Sequence, residues 1–353
     1  MLSMMPLKPA LVSLSEGQIM TLRFALLGAG RIGKTHAQAI HANPDATLAV
    51  VTDAMPAAAE AIAAQYGAEI RDMEAIAAAD DIDAVVICTP TNTHADLIEL
   101  FARAGKAIFC EKPIDLNLAR VKACLAVVEE TKATLMIGFN RRFDPHFQGA
   151  YSAIESGQIG DVEQVVISSR DPGLPPYEYI TVSGGIFRDM TIHDFDMARF
   201  MLGEEIETVQ AAASVLVDPK VGELGDYDTV SVIMTTASGK QAMINNSRRA
   251  TYGYDQRVEV HGSKGAVTAM NEHPVQVEVA TASGYNRGPL HDFFMTRYVA
   301  AYAAEIAGFV ATVKDGMPAH PAGRDGMIAL ALADAANLSV SEGRVVKMSE
   351  ILS

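Results

Sequence analysis

The sequence contains few cysteines, and they are not arranged in pairs. Cys88, Cys110 and Cys124 are scattered along 353 residues without a Cys-x-x-Cys spacing. Regular cysteine spacings are typical of disulfide frameworks and thiolate zinc sites. The sequence therefore indicates neither, and scattered thiols fit a reducing compartment such as the cytoplasm.

Basic residues are also scarce, because 28 Lys and Arg stand against 43 Asp and Glu, giving a formal net charge of −15. Nucleic-acid phosphates and anionic membrane surfaces attract clustered Lys and Arg, so neither is an expected partner. The sequence has no apolar run of the ~18 residues that a membrane-spanning helix needs. Both observations favour a small-molecule partner.

Residues 1–20 lack the features of a signal peptide. They carry one Lys, two Pro and a Glu, without an uninterrupted apolar stretch or a small-residue cleavage site. We expect a disordered extension, or an upstream start codon with Met20 as the working start.

From residue 22, apolar strand-like runs alternate with amphipathic helices. Strands are predicted at 22–28, 46–53, 83–90, 107–113 and 134–140, and helices at 31–42, 56–66, 94–104 and 117–131. Continuous apolar strands separated by helices indicate a parallel sheet covered on both faces. The pattern predicts an α/β Rossmann domain with a doubly wound parallel sheet over residues 21–140.

The pattern changes after residue 140. A Pro- and Gly-rich loop and a helix within 184–202 precede consecutive strands joined by short turns, and helices at 293–314 and 321–342 close the chain. Consecutive strands with short turns indicate antiparallel pairing. We predict an α+β domain over 141–353 with a large open, mostly antiparallel sheet. Apolar residues on both faces of "TVSVIMTTA" and "QAMINNS" predict an interface on that sheet.

The stretch "GAGRIG" places three glycines directly after a strand and at the start of a helix. In that context the glycines permit a tight turn, the approach of a pyrophosphate and close helix–strand packing. A carboxylate at Asp53 suits the adenosine ribose hydroxyls, and Ala54 offers no charge for a 2′-phosphate, so NAD is predicted over NADP. The alternative is a glycine turn with a capping Asp. The predicted cofactor residues here are Gly28, Gly30, Arg31, Ile32, Gly33 and Asp53.

Two further segments end on the same edge of the predicted sheet. In "CTPTNTHADL" the predicted cofactor residues are Thr89, Pro90, Asn92 and His94. The alternative there is a polar loop in which Thr93 or Asn92 caps a helix. In "FCEKPID", Glu111 and Lys112 point towards that edge, where a Lys could donate to an alkoxide. The alternative is an exposed, salt-bridging Lys before a turn proline.

"GGIFRDMTIHDFDMARFML" places Asp189 and His193 four residues apart on a predicted helix, so both lie on one face. A catalytic pair, a metal site and a plain capped helix are all compatible with that spacing. No third metal ligand is evident, so no metal is expected. Asp194 and Asp196 fall on other faces, and we expect solvent contacts or pairs with Arg188 and Arg199.

Taken together, "GAGRIG", "CTPTNTHAD", "CEKP", "GFNRRFDP" and the Asp189–His193 pair resemble the glucose–fructose oxidoreductase/inositol dehydrogenase (Gfo/Idh/MocA) family. The resemblance implies a Glu-Lys-Pro segment that touches nicotinamide and substrate, commonly with a cis Lys-Pro bond. "RRFDPHF" and "RRATYGYDQRVEVHG" most resemble the inositol 2-dehydrogenase branch. That branch implies NAD-dependent oxidation of the axial hydroxyl of myo-inositol to the 2-keto product, by a homotetramer.

The resemblance also implies roles for individual residues. We predict His193 as general base, Asp189 as its orienter or a direct substrate ligand, and Lys112 as donor to the reacting oxygen. The predicted substrate-binding residues are Arg141, Asp171, Asp189, His193 and Tyr252, with Tyr254 as a further candidate. For Arg141 the alternative is a domain-linking salt bridge, and for the tyrosines it is a place at a strand edge. A dehydrogenase of another polyol or sugar, and a non-catalytic NAD-sensing module, remain alternatives.

Overall fold

The structure is a computed structural model, and it describes residues 21–353. Residues 1–20, for which we predict an extension or an upstream start, lie outside the described residues. Within the described part, no helix has both the length and the apolar composition needed to cross a membrane.

The first part of the chain forms a parallel sheet. Its strands are β1 (Leu22–Leu27), β2 (Ala46–Thr52), β3 (Glu69–Ile70), β4 (Ala84–Ile87), β5 (Ala107–Glu111) and β6 (Leu135–Gly138). They pair in parallel in the order β3-β2-β1-β4-β5-β6. This is the doubly wound dinucleotide-binding order, whose switch point between β1 and β4 is the usual ligand crevice. The predicted Rossmann fold is confirmed.

Helices cover both faces of this sheet. They are α1 (Arg31–Ala42), α2 (Pro56–Tyr66), α3 (Met73–Ala78), α4 (His94–Arg103) and α5 (Leu118–Thr131). All four residues of β4 and of β6 are buried, as expected for strands that are apolar on both faces. Asn117 caps α5 by accepting from the backbone N–H groups of Ala119 and Arg120. By contrast, the N-cap of α1 is Gly30, which has no side chain with which to cap it.

The second part of the chain forms a mixed sheet and its covering helices. The strands are β7 (Val162–Arg170), β8 (Ile206–Ser214), β9 (Thr229–Thr236), β10 (Gln241–Ser247), β11 (Asp255–Gly262), β12 (Gly265–Ala269), β13 (Glu278–Thr281), β14 (Gly284–Arg287) and β15 (Val346–Lys347). Their helices are α6 (Pro145–Glu155), α7 (Tyr177–Ile180), α8 (Ile186–Asp189), α9 (Thr191–Leu202), α10 (Pro219–Glu223), α11 (Phe294–Arg297), α12 (Val299–Asp315), α13 (Gly323–Glu342) and α14 (Met348–Leu352). Short 3-10 helices occupy Thr91–Thr93 and Asn140–Phe143.

Seven of these strands form one sheet in the order β12-β11-β7-β10-β9-β8-β15, while β13 and β14 form a separate hairpin. All neighbours in the large sheet are antiparallel except β7 and β10, which are parallel. The predicted mostly antiparallel sheet is therefore confirmed. One face packs against α9 and α13, and the other is open.

The alternation along β9 and β10 shows the two faces. Val232 and Ile244 are buried, whereas their neighbours Ile233 and Met243 are 47% and 37% exposed. Period-two alternation places buried and exposed residues on opposite sides of a strand. The open side of the sheet thus carries apolar side chains in contact with solvent.

The last helices return to the first sheet. Ile306 and Phe309 of α12 pack in one cluster with Phe24 and Phe109, and Leu330 of α13 packs in the other cluster of that sheet. Residues far along the chain therefore help to cover the dinucleotide-binding sheet. The division between 21–140 and 141–353 stays a prediction.

Candidate active site

The glycine loop after β1 is held by close backbone contacts. Gly28 has φ +100, and a Cβ there would lie 2.6 Å from the carbonyl oxygen of Cys88. A Cβ on Gly33 would lie 2.0 Å from the carbonyl oxygen of Gly28. Both positions therefore require glycine for the loop to pack between β1 and β4.

Gly30 differs, because nothing in the described protein explains its lack of a side chain. Its φ is −70, and an added Cβ would meet no atom within 4 Å. It precedes the first turn of α1, whose backbone N–H groups have no intrahelical partners and favour an anion. The open space and the free helix end fit the pyrophosphate of a dinucleotide.

The Asp53 carboxylate lies beside this loop, directly after β2. It accepts from the backbone N–H of Ala29 at 2.5 Å and from that of Met55 at 2.7 Å. The structure thus places Asp53 next to the glycine loop, as predicted for a ribose ligand. Arg31 is exposed at the start of α1, with its guanidinium 5.9 Å from the Phe293 ring centroid, and Ile32 is half-buried.

The loop after β4 contributes fewer side chains than predicted. Pro90 and Asn92 are exposed, and the Thr89 hydroxyl is hydrogen-bonded to that of Thr93. His94 is buried, with Nε2 2.8 Å from the Thr89 carbonyl oxygen and Nδ1 2.8 Å from that of Pro113. Burial lowers the pKa of His94. Its predicted direct contact with the cofactor is corrected, because both ring nitrogens are turned to backbone carbonyls, where they join two loops.

The Glu-Lys-Pro segment follows β5, and its two charged side chains point in different directions. Glu111 is buried and lies 2.7 Å from Nε2 of His36 on α1. The Lys112–Pro113 bond is cis, as the family resemblance implies. Lys112 Nζ donates to the backbone carbonyl of Asp189 at 2.9 Å, which joins β5 to the second part of the chain.

Asp189 and His193 do not share one helix, so that part of the prediction is wrong. Asp189 ends α8 and His193 lies in α9, with Met190 between the helices. Of the two predicted roles of Asp189, that of orienter would need a hydrogen bond to His193, and none joins the two side chains within residues 21–353. The Asp189 carboxylate instead accepts from the Tyr179 hydroxyl at 2.8 Å and from Arg248 Nη2 at 3.0 Å.

Tyr179 and Arg248 are site residues that the motifs did not indicate. Tyr179 lies in the Pro- and Gly-rich loop before α8, and Arg248 directly follows β10. The Arg248 side chain is buried, although its partner Asp189 is partly open to solvent. The available signal for Tyr179 was an aromatic residue in the Pro- and Gly-rich segment before α8. For Arg248 it was a charged residue at the end of a strand.

His193 is held in a form suited to accepting a proton. Burial depresses its pKa well below the usual value, and the positive charges of Lys112 and Arg141 act in the same direction. Its Nδ1 is buried and has no hydrogen-bond partner within residues 21–353. The imidazole is therefore neutral at neutral pH, so one of its two ring nitrogens carries a lone pair that can accept a proton.

Asp194 and Asp196 are buried, which corrects their expected solvent exposure and pairing. Asp194 forms a buried ion pair with Arg141 and accepts from Asn246 at 2.8 Å. Asp196 pairs with Arg142, with N–O distances of 2.6 and 2.8 Å. The Arg141 pair is a salt bridge, but both partners lie within 141–353, so it is not the domain-linking bridge given as the alternative for that residue. The positive charge of Arg141 also acts on His193, whose pKa it lowers.

The remaining predicted substrate residues have different surroundings. Burial raises the pKa of Asp171 to about 6, while the charge of Arg248 lowers it and that of Asp189 raises it. The Tyr252 hydroxyl donates to Asp255 at 2.6 Å and accepts from Arg170 at 2.9 Å. Asp171 thus lies in the field of the Asp189 and Arg248 charges, whereas the Tyr252 hydroxyl is bonded to Asp255 and Arg170.

No group of three or more His, Cys, Asp or Glu side chains in residues 21–353 is placed to hold a metal ion. The Asp189 and His193 side chains, which could have supplied two ligands, have the separate surroundings described above.

Family models match most of the chain. The model described as "Oxidoreductase family, NAD-binding Rossmann fold" matches residues 22–139, and that of the GFO/IDH/MocA C-terminal domain matches residues 147–268. The chain belongs to this family. The resemblance stated from the sequence motifs is confirmed, and so is NAD as the cofactor of this oxidoreductase.

Members of the Gfo/Idh/MocA family with similar sequences include "Inositol 2-dehydrogenase" of Rhizobium meliloti, which is 67% identical and spans 94% of this chain and 100% of its own. "Myo-inositol 2-dehydrogenase" of Thermotoga maritima is 43% identical, and the match spans 94% of this chain and 100% of that protein. A solved structure of scyllo-inositol dehydrogenase from Lactobacillus casei with bound NAD(H) and scyllo-inositol is 28% identical. It has a TM-score of 0.86 and covers 93% of this chain and 99% of its own.

The space above Gly30 generates a prediction for this NAD-binding protein. Gly30→Ala should leave the melting temperature unchanged, because the added Cβ meets no protein atom. It should weaken NADH binding about tenfold or more, because the methyl group would occupy the space of the pyrophosphate. NADH fluorescence titration measures the affinity. Gly149→Ala, on α6 and equally free of contacts, is the matched control. Wild-type NADH affinity in Gly30→Ala would contradict this assignment of the loop.

Proposed function

We propose that the protein oxidises the axial secondary hydroxyl of myo-inositol to 2-keto-myo-inositol (scyllo-inosose), with NAD as the hydride acceptor. The observation that carries this proposal is the meeting of Lys112, Asp189 and His193 beside an NAD-binding sheet. Lys112 reaches Asp189 across 77 positions of sequence, and its charge also acts on His193. The names of the two inositol dehydrogenase relatives support the choice of substrate.

His193 serves as general base in this proposal. Oxidation of a secondary alcohol requires removal of the hydroxyl proton, and a neutral imidazole can accept it. The Lys112 ammonium group donates to the oxygen on which negative charge develops. NAD, when bound by the glycine loop and Asp53, supplies the acceptor for the hydride.

Asp189 is assigned as a direct substrate ligand rather than as the orienter of His193. Its carboxylate accepts from Tyr179 and Arg248 and, within residues 21–353, makes no hydrogen bond to the imidazole. Each carboxylate oxygen has about two acceptor positions, so capacity remains for hydroxyl groups of a polyol. Asp171, which is buried and feels the charge of Asp189, is a second hydroxyl ligand in this proposal, with Arg141 and Tyr252 as further substrate-side residues.

A different cyclic polyol is the second candidate. The structural neighbour from Lactobacillus casei is named for scyllo-inositol and contains it. A base, a cation and a carboxylate would serve any ring with a secondary hydroxyl, including glucose or galactose. A non-catalytic NAD-sensing module is a third outcome, although a pure sensor has no use for a base.

A panel of polyols tests these candidates. Purified protein with NAD should form NADH fastest, judged by kcat/KM, on myo-inositol, with scyllo-inositol, D-chiro-inositol, glucose and galactose in the same assay. NADP should be a poorer acceptor because of Asp53. A higher kcat/KM on scyllo-inositol or a sugar would replace the proposed substrate. NADH binding without turnover on any compound would favour the sensing module.

The role of His193 gives a prediction in pH. Since only the neutral imidazole is a base and its pKa is depressed, kcat/KM should fall as the pH drops, with the acid limb below the usual His pKa of about 6.5. His193→Ala should lower kcat by about 10²–10⁴ and remove this limb while NADH affinity is retained. Stopped-flow and steady-state rates between pH 5 and 9 measure both. Turnover within about threefold of wild type would contradict the assignment.

We also propose that the open face of the large sheet assembles a homotetramer. The exposed side chains of Ile233 and Met243 on adjacent antiparallel strands support an interface there. Light scattering at micromolar concentration should give about four times the chain mass of 37.6 kDa. Met243→Glu should dissociate the assembly, whereas Met317→Glu, at an exposed Met after α12, should not. A monomeric wild type would reject the proposal.

The cellular location and domain division complete the proposal. The three free cysteines are all buried, which agrees with a cytoplasmic enzyme, and cell fractionation would test it. We propose a Rossmann domain over 21–140 and a substrate-binding and oligomerisation domain over 141–353. Two calorimetric unfolding transitions, of which NADH shifts one, would support this division, and a single transition would oppose it.

A further inference from the structure

The segment between β7 and α8, residues 171–185, carries two tyrosines on α7. Each donates its hydroxyl to a different carboxylate: Tyr179 to Oδ1 of Asp189 at 2.8 Å, and Tyr177 to Oδ2 of Asp218 at 2.7 Å. The two side chains are 41% and 42% exposed. They therefore have the same chemistry and a similar overall exposure, although the Tyr179 hydroxyl has more buried surroundings than that of Tyr177. Only Tyr179 reaches the candidate substrate ligand.

Asp189 is held at three points by three separate parts of the chain. Lys112 binds its backbone carbonyl, Arg248 donates to Oδ2 at 3.0 Å, and Tyr179 donates to Oδ1. Because α8 ends at Asp189, the helix alone does not fix the direction of this side chain. The contacts to both carboxylate oxygens fix it instead.

We propose that Tyr179 is a positioning residue for polyol binding, which holds the Asp189 carboxylate in the orientation that receives the substrate hydroxyls. This inference rests on the proposed function of Asp189 as a substrate ligand. The phenol has a single proton, which it donates to Oδ1, and Oδ1 retains a second acceptor position for the polyol. A carboxylate that is already held in place loses little conformational entropy when the substrate binds. Its contacts with the polyol therefore contribute more to the affinity than those of a mobile carboxylate would.

The direction of the Tyr179–Asp189 bond follows from the charges around it. Burial and the negative charge of Asp189 raise the pKa of Tyr179, so the phenol keeps its proton and acts as the donor. The positive charges of Arg248 and Arg31 act in the opposite direction. Arg31 begins α1, so Tyr179 also lies within reach of the charge at the cofactor-binding helix.

Docking of the segment itself does not depend on Tyr179 alone. Tyr177 holds it to Asp218, and the backbone at Gly184 lies against Leu116 and Arg188. Removing either hydroxyl thus removes one anchor of the segment. Only the loss at position 179 also frees an oxygen of Asp189, which makes Tyr177→Phe a matched control for Tyr179→Phe.

The test compares Tyr179→Phe with Tyr177→Phe and wild type. Hydrogen bonds to charged groups are the stronger ones, so Tyr179→Phe should raise the Kd and KM for myo-inositol about tenfold, with kcat within about threefold. Calorimetric titration of myo-inositol into the NADH complex measures binding without turnover. Tyr177→Phe should stay within about twofold of wild type. Melting temperature and NADH affinity should be unchanged in both variants.

The possible outcomes separate the inference from the proposed function. Equal losses in both variants would show that Tyr179 only anchors the segment, and unchanged myo-inositol binding in Tyr179→Phe would show no role; either overturns the inference. A drop in kcat without a change in KM or Kd would overturn it as well. If wild-type protein binds and oxidises no polyol at all, the proposed function fails first, and this inference fails with it.

Discussion

The hydrogen bond from Lys112 to the backbone carbonyl of Asp189 is the contact on which the site depends. It joins the carboxyl end of β5 to the junction of α8 and α9, and thereby joins the dinucleotide-binding sheet to the second part of the chain. A cation at this place stands close to His193 and beside the candidate substrate ligand. This contact fixes the junction at which the NAD-binding sheet meets His193, the proposed base, and Asp189, the proposed substrate ligand.

Electrostatics set the protonation states around that contact. Two cations, Lys112 and Arg141, act on a partly buried imidazole, so a protonated His193 would be a third positive charge in a poorly solvated place. The imidazole accordingly stays neutral. Arg141 is itself balanced by Asp194, which has no access to solvent. The buried Asp194 thus acts on His193, the proposed base, only indirectly, as the partner of Arg141.

The parts of the fold that depend on local sequence were predictable. Strand and helix periodicity, and glycines at fixed offsets after β1, are properties of short segments. The break at Met190 was not predictable, because the residues around it contain no Pro and are as suited to a continuous helix as to two. The break is set by tertiary contacts, including those of Asp189 with Lys112 and Arg248.

Site residues with distant partners were also beyond the sequence. Arg248 lies 59 positions from Asp189, and Arg142 lies 54 positions from Asp196, so neither pairing leaves a local pattern. The same holds for His94, whose ring bridges the loops after β4 and β5. His94 and Arg142 lie within the quoted motifs, but only the fold decides which partners their side chains meet.

Transfer of deuterium from myo-inositol labelled at carbon 2 tests the central claim most directly. The protein should convert NAD and the labelled polyol to the 2-keto product and to NADH carrying one deuterium. Mass spectrometry detects the deuterium in NADH as a gain of one mass unit. NADH without deuterium would mean that another carbon is oxidised, and no NADH would mean that the polyol is not a substrate; either result contradicts the account.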